Sequence, residues 1–252
     1  MKVHWPQILW VARHGQSAGN VARDAAEAAG HTMIDIEYRD IDTPLSELGV
    51  EQSRALGRWF GRQPAEERPR VILCSPYVRA RETARLVLEE AGWKPGSDMR
   101  MRIDERLREK EFGILDRLTV HGIRGKYPDL HQQRGHVGKF YFRPPGGESW
   151  CDVILRLRSL TEMVTREHGG ERVLVVAHQV IVNCMRYRSR TSTSSRSSTS
   201  TASDVPNCAV TSYRHDPATD CLKLDLVNFL SPLVQAGAPV TAEPDAQAAP
   251  KP

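Results

Sequence analysis

The sequence predicts an α/β fold: a three-layer sandwich in which a mainly parallel sheet is flanked by helices. Three observations predict it. Apolar runs of strand length at 8–12, 71–74 and 172–177 alternate with longer segments of helical spacing. The runs are apolar almost throughout, as strands covered by helices on both faces are. Each also stops abruptly on polar residues: Arg13-His14, Ser75-Pro76 and His178.

Taken in order, the first strand ends in a turn at Gly15, and residues 30–43 are polar and read as a loop. Pro44 to Gly49 lead into a helix whose apolar face is Leu56, Trp59 and Phe60. Residues 64–69 form a charged linker. After the second strand, 78–90 has helical spacing with Leu86 and Val87 inward, whereas 93–147 holds no sustained period. Ser149 suits the N-cap of the next helix, and Asp152 places negative charge in its first turn. Val153, Leu157, Leu160 and Val164 form its stripe and Gly169 stops it. Two further strands, 208–213 and 221–227, are joined across 216–220. The tail from Gln235 is rich in Ala, Pro and Gln and is expected to be disordered. The chain thus reads as one domain over 1–234 followed by a disordered tail, 235–252.

Composition narrows the function classes. A net charge of +4, from 35 Lys+Arg against 31 Asp+Glu, is too small to argue for nucleic acid as a partner. No apolar stretch approaches the roughly 20 residues of a membrane span, and the N-terminus lacks a signal-peptide pattern. The five cysteines, Cys74, Cys151, Cys184, Cys208 and Cys221, are widely separated and carry no metal-ligand spacing. Reduced thiols in a cytoplasmic protein, with no metal and no cofactor, are the expectation.

In open α/β sheets ligands bind beyond the carboxyl ends of the strands. Those ends deliver Arg13, His14 and His178, with Arg79 just past Ser75-Pro76. Two arginines and two histidines at one sheet edge suit a dianionic phosphate, because guanidinium groups are planar, bidentate and always charged. A neutral imidazole can attack phosphorus to form a covalent intermediate.

The ordered motifs ARHGQSAGN, SPYVRARETA, LREKEFG, PPGGES and VVAHQ resemble those of the histidine phosphatase (phosphoglycerate mutase-like) superfamily, in its phosphatase branch. The resemblance spans roughly residues 8 to 230. It implies that His14 is the nucleophile, that Arg13 and Arg79 clamp the phosphoryl oxygens, and that His178 hydrogen-bonds them. Glu109 would be the proton donor, with a raised pKa, while Gln16 and Asn20 line the same loop. A cofactor-independent phosphomonoesterase acting on small phosphorylated metabolites follows. Phosphoglycerate mutase is the alternative, although the mutase branch's Glu-Trp after the R-H-G motif is missing here. An inactive or nucleic-acid-binding relative, using the Arg/Ser tract from Arg186, is the second alternative. One departure is Arg117, which stands where the family's phosphatases carry glycine. Cys74 does not fit the cysteine-phosphatase spacing C-x5-R, since Arg79 and Arg81 fall on either side of it. Oligomeric state is left open.

Residues 188–203 form an anomalous Ser/Thr/Arg tract without an apolar stripe, where the superfamily carries an amphipathic helix. In a GC-rich gene, CTC-GAC-GAG-CTC-G encodes Leu-Asp-Glu-Leu, and read one base later it gives TCG-ACG-AGC-TCG, Ser-Thr-Ser-Ser, the string at Ser192 to Ser195. The tract is therefore expected to be an out-of-frame stretch between two compensating indels.

Overall fold

In a computed structural model of the chain, residues 4–94, 96, 99–191 and 204–242 are described. Six strands form one sheet: β1 (Ile8–Arg13), β2 (Val71–Cys74), β3 (Arg100–Ile103), β4 (Arg172–Ala177), β5 (Val210–Asp216) and β6 (Cys221–Phe229). Their order is β3-β2-β4-β1-β5-β6, with the first four parallel and β5 and β6 antiparallel. The helices are α1 (Ala18–Ala28), α2 (Glu47–Arg62), α3 (Val78–Glu90), α4 (Val120–Lys126), α5 (Pro128–Val137), α6 (Trp150–Glu167), α7 (Gln179–Thr191) and α8 (Ser231–Ala236).

Alternation along the central strands divides the core into two layers. Leu9, Val11, Leu73, Val173 and Val175 face α6 and α7, where Val153, Leu157, Leu160, Ile181 and Val182 meet them. Ile8, Trp10, Ile72, Leu174 and Val176 face the other way, against Leu56 and Phe60 of α2 and Ala80, Ala84 and Val87 of α3. The expected sandwich and its mainly parallel sheet are what the chain adopts. Helix α6 begins as its sequence implies: Ser149 accepts from the Asp152 backbone N–H, and the Asp152 side chain accepts in return from the Ser149 N–H.

Several segments differ from the sequence reading. The residues after Gly15 form a helix, α1, started by a capping box between Ser17 and Asn20. Edge strand β3 escapes the periodicity test because all four of its residues are exposed. Helix α5 buries none of its residues and likewise lacks an apolar stripe. The tail begins differently too. Gln235 and Ala236 complete α8, and Pro239 and Thr241 hydrogen-bond to the body of the domain, so 235–242 is ordered rather than disordered. Residues 243–252 lie outside the described residues. So do 192–203, and with them most of the Ser/Thr tract; the helix after β4 is continuous in backbone as far as Thr191.

Parallel register sets the site. Arg13 pairs with Ala177 and Cys74 with Val176, so His14, Ser75 and His178 leave the sheet side by side. The His14 N–H donates to the Ala177 carbonyl at 2.9 Å and the Ser75 N–H to Val176 at 3.0 Å.

Candidate active site

The loop after β1 lies against the start of α2, backbone on backbone. A Cβ on Gly15 would stand 2.4 Å from the Gly49 carbonyl oxygen, and one on Gly49 would stand 1.9 Å from that of Gln16. The Gln16 N–H donates to Gln52 Oε1 at 2.9 Å, while Gln52 Nε2 donates to the Pro239 carbonyl and to Thr241. From the other side, Asn207 Nδ2 donates to the His14 carbonyl at 3.1 Å, and Thr241 bonds Asn207 through backbone and side chain. The segment after α8 thus braces the two residues that hold the loop. Gly49→Ala is expected to cost about 2–4 kcal/mol, because the clash is with backbone and no rotamer relieves it. Urea unfolding checks this, and the expectation fails if the midpoint is unchanged.

His14 is 3% exposed and its orientation is fixed. Nδ1 lies 2.7 Å from the Gly15 carbonyl oxygen, an acceptor, so Nδ1 carries the proton. That leaves Nε2 with its lone pair, which accepts from Arg79 Nε at 3.3 Å. Burial first, and then the charges of Arg79 and Arg13, hold the His14 pKa well below its ordinary value. The imidazole is neutral at neutral pH.

Arg13 is 1% exposed and donates to Gln179 Oε1 at 3.0 Å and to the Val205 carbonyl at 2.7 Å. Arg79, in the first turn of α3, donates from Nη1 to the Asp40 carboxylate at 3.0 Å, and its guanidinium lies over the Tyr77 ring. His178 is fully buried, edge-on to both His14 and Tyr77, and its Nε2 lies 2.7 Å from Ser75 Oγ. Among the described residues its Nδ1 has no hydrogen-bond partner, and it lies 3.9 Å from Glu109 Oε2. Burial, followed by Arg79, His14 and Arg13, lowers the His178 pKa well below its usual value.

Glu109 follows the short 3-10 turn Glu105–Leu107, and Arg156 anchors that region by donating to the Arg106 and Glu109 carbonyls. Its carboxyl accepts from the Lys110 N–H at 2.8 Å, yet burial raises its pKa to about 7. It is poised to give a proton near neutrality and to take one back.

These groups meet a cavity of about 960 Å³. Arg13, His14, Asn20, Arg79 and Glu109 line it, and His178 sits behind His14 without reaching the surface. Asn20 is tied into the α1 capping box through Oδ1. Gln16 does not line the cavity; its Oε1 accepts from Ser46 and its backbone joins α2. Of the aromatic patch, Phe142 lines the cavity while Phe140 packs on Trp150 and Tyr187. His215 and Asp216 belong to the β5–β6 hairpin, where His215 meets Asp220 and Asp216 meets Lys223. Cys74 points into the α2–α3 layer, and burial pushes its thiol up to about 12, so it is not a thiolate nucleophile. Among the described residues no group of three or more His, Cys, Asp or Glu is placed to hold a metal, and no helix is long and apolar enough to cross a membrane.

Sequence reasoning missed Asp40, Ser75 and Asn207 as members of this assembly, and it missed the reason for Arg117. That arginine takes the left-handed conformation, φ 59°, without the freedom of glycine. Its guanidinium donates to the Ile36 and Tyr38 carbonyls at 3.1 and 2.5 Å, fastening the segment that carries Asp40 along the cavity rim. The signal was the Arg-for-Gly departure itself.

The chain is similar in sequence and fold to known proteins. A 2,3-bisphosphoglycerate-dependent phosphoglycerate mutase of Methylobacterium sp. (strain 4-46) is 34% identical over 176 residues, 68% of this chain and 75% of its own length. The 6-phosphofructo-2-kinase/fructose-2,6-bisphosphatase of Caenorhabditis elegans is 32% identical over 187 residues, which are 73% of this chain but 35% of that protein. A solved mycobacterial glucosyl-3-phosphoglycerate phosphatase superposes with a TM-score of 0.65 at 27% identity, covering 88% of this chain and 99% of its own. The sequence pattern of the histidine phosphatase superfamily (branch 1) matches residues 9–224, which include the three strand ends, Arg79 and Glu109. With that match and a neutral histidine presented at the edge of a parallel sheet, the chain belongs to the histidine phosphatase superfamily.

Proposed function

We infer that the protein is a cofactor-independent phosphomonoesterase that hydrolyses small phosphorylated metabolites through a phosphohistidine on His14. The observation that carries this reading is the His14 imidazole: neutral, locked by Gly15, and offering Nε2 beside the Arg79 guanidinium.

The substrate's phosphoryl oxygens take the place of the Asp40 carboxylate on Arg79 and also meet Arg13. His178, held by Ser75, packs edge-on behind His14 and supports the imidazole from within the core. Nε2 of His14 attacks phosphorus in line as the P–O bond to the alcohol breaks. Glu109, as the carboxylic acid, gives its proton to the departing oxygen. The Glu109 carboxylate so formed then takes a proton from water, whose oxygen attacks the phosphohistidine. Inorganic phosphate leaves, and His14 returns neutral with Glu109 protonated. The proton balance closes over the cycle. Charge on the transferring group is met throughout by fixed guanidinium groups, which need no reorganisation as the reaction proceeds.

The relatives include mutases as well as phosphatases, and mutase activity is the second reading, favoured by the 34% identity to the bacterial mutase. Its product step returns the phosphoryl group to a hydroxyl instead of to water. A steady-state assay separates the two. We expect 4-nitrophenyl phosphate to be hydrolysed with the same kcat in the presence of a chelator. We also expect 3-phosphoglycerate to release inorganic phosphate faster than it isomerises. Rapid isomerisation with negligible phosphate release would assign the mutase reaction instead.

A further inference from the structure

The donors of Arg79 that suit a phosphoryl group are engaged from within the chain. Nε donates to the His14 lone pair at 3.3 Å, so the nucleophile is capped by its own clamp. Nη1 carries two further protons. One goes to the Asp40 carbonyl oxygen at 2.5 Å and the other to the Asp40 carboxylate at 3.0 Å. The Tyr77 ring lies against the guanidinium, 4.8 Å from its central carbon, and fixes its plane.

The two partners of this ion pair differ in their access to water. The Arg79 side chain is 6% exposed and that of Asp40 is 40% exposed. A half-exposed carboxylate can turn into water at little cost, whereas a buried guanidinium can give up its counter-charge only to another anion. Asp40 opens the short 3-10 turn Asp40–Asp42, whose flanks are tied down. Arg117 holds the Ile36 and Tyr38 carbonyls on one side. On the other, Thr43 Oγ1 donates to the Arg39 carbonyl at 3.1 Å, and the Leu45 N–H donates to the Glu82 carboxylate at 2.8 Å. Exchange at Arg79 therefore needs one side-chain rotation and no movement of the segment. The Asp40 carboxylate also faces the reacting space: after burial, its charge is among those that push Glu109, Tyr77 and Asp116 upward.

We propose that Asp40 is a built-in competitor of the substrate's phosphoryl group: it holds Arg79 between turnovers, gives way to the phosphoryl dianion, and expels inorganic phosphate by returning. This rests on the phosphohydrolase reading only in placing a phosphoryl group on Arg79. A competitor carried by the chain itself lowers the apparent affinity for an anion in proportion to the time it occupies the donor. The dianion prevails because it brings two charges and reaches Arg13 as well as Arg79. The product leaves because its place on Arg79 is contested at every moment, which keeps product inhibition weak.

Calorimetric titration of the full-length protein with inorganic phosphate tests the competitor. Asp40→Asn keeps the shape of the side chain and removes its charge, and it is expected to bind phosphate about 10-fold more tightly than wild type. Asp40→Ser, also uncharged, is expected to do the same and serves should the asparagine variant fail to fold. Asp116→Asn is the control. It removes a neighbouring carboxylate from the same cavity wall without freeing Arg79, and is expected to change phosphate affinity by about 2-fold or less. Product inhibition of 4-nitrophenyl phosphate hydrolysis reads the same quantity: the inhibition constant of phosphate should fall about 10-fold in Asp40→Asn. Affinity that is unchanged or weakened in the Asp40 variants overturns the competitor. So does an equal gain in Asp116→Asn, which would make the effect one of general field, and so does undetectable phosphate binding in wild type and variants alike. Failure of the wild type to hydrolyse 4-nitrophenyl phosphate counts against the phosphohydrolase reading, and the calorimetry still decides the role of Asp40.

Discussion

His14→Ala is expected to lower kcat/KM for phosphomonoester hydrolysis by about 10,000-fold or more, the scale on which removing a covalent nucleophile acts. The fold should survive, because His14 lies beyond the last paired residue of β1 and its backbone bonds to Ala177 and Asn207 are independent of the side chain. Arg79 keeps its contact with Asp40, so the phosphate clamp is not left without a counter-charge. Acid-quenched wild-type enzyme is expected to lose its protein-bound phosphate, whereas quenching in base should retain it, as a phosphoramidate does. The alanine variant should carry none. Retention of even a tenth of wild-type activity, or equal label in both proteins, would remove His14 from the covalent role.

Legibility in the sequence followed burial. The central strands and α2, α3 and α6 were readable because each buries a stripe or a run: Val153, Leu157, Leu160 and Val164 repeat at helical spacing and all lie under the sheet. Strand β3 and helix α5 were not, because they bury nothing and their composition follows solvent instead of a core. The start of α1 carried a local signal, Ser17 three residues before Asn20, that the polar surroundings masked. Residues 235–242 misled for a related reason. Their order comes from hydrogen bonds to Gln52 and Asn207, which leave no mark on hydrophobic pattern.

The site divides along the same line. Arg13, His14 and His178 could be located from strand ends alone, since parallel register aligns them. Gln16 could not be distinguished from a ligand-binding residue. Its place in the motif is explained equally well by its bonds to Gln52 and Ser46, which is where the structure puts it. Asp40 meets the site only through tertiary folding of the irregular segments. No local spacing announces it.

Glu109→Gln separates catalysis from stability at one residue. A folded pKa of about 7 against an ordinary 4.5 means that between these values the folded chain holds a proton that the unfolded chain has released. Stability therefore falls as pH rises through that window, and the loss is complete above about pH 7. At 1.36 kcal/mol per unit the ceiling is about 3 kcal/mol. Glutamine keeps the shape of the neutral acid and cannot ionise. The variant is expected to match wild type near pH 4.5 and to exceed it by up to about 3 kcal/mol at pH 8, measured by urea unfolding at both values. Its activity should move the other way. Without a proton to donate, an alkyl phosphate loses about 100- to 10,000-fold in kcat/KM, while 4-nitrophenyl phosphate, whose leaving group needs little help, loses far less. Without a base for water, the phosphohistidine should accumulate, giving a burst of nitrophenol before a slow steady state. In the wild type, kcat/KM for the alkyl ester should decline above about pH 7 as the acid ionises, and the variant should lack that limb. Equal losses on both esters, or a stability difference that does not grow with pH, would show that Glu109 is a structural carboxylate and that the proton comes from another group.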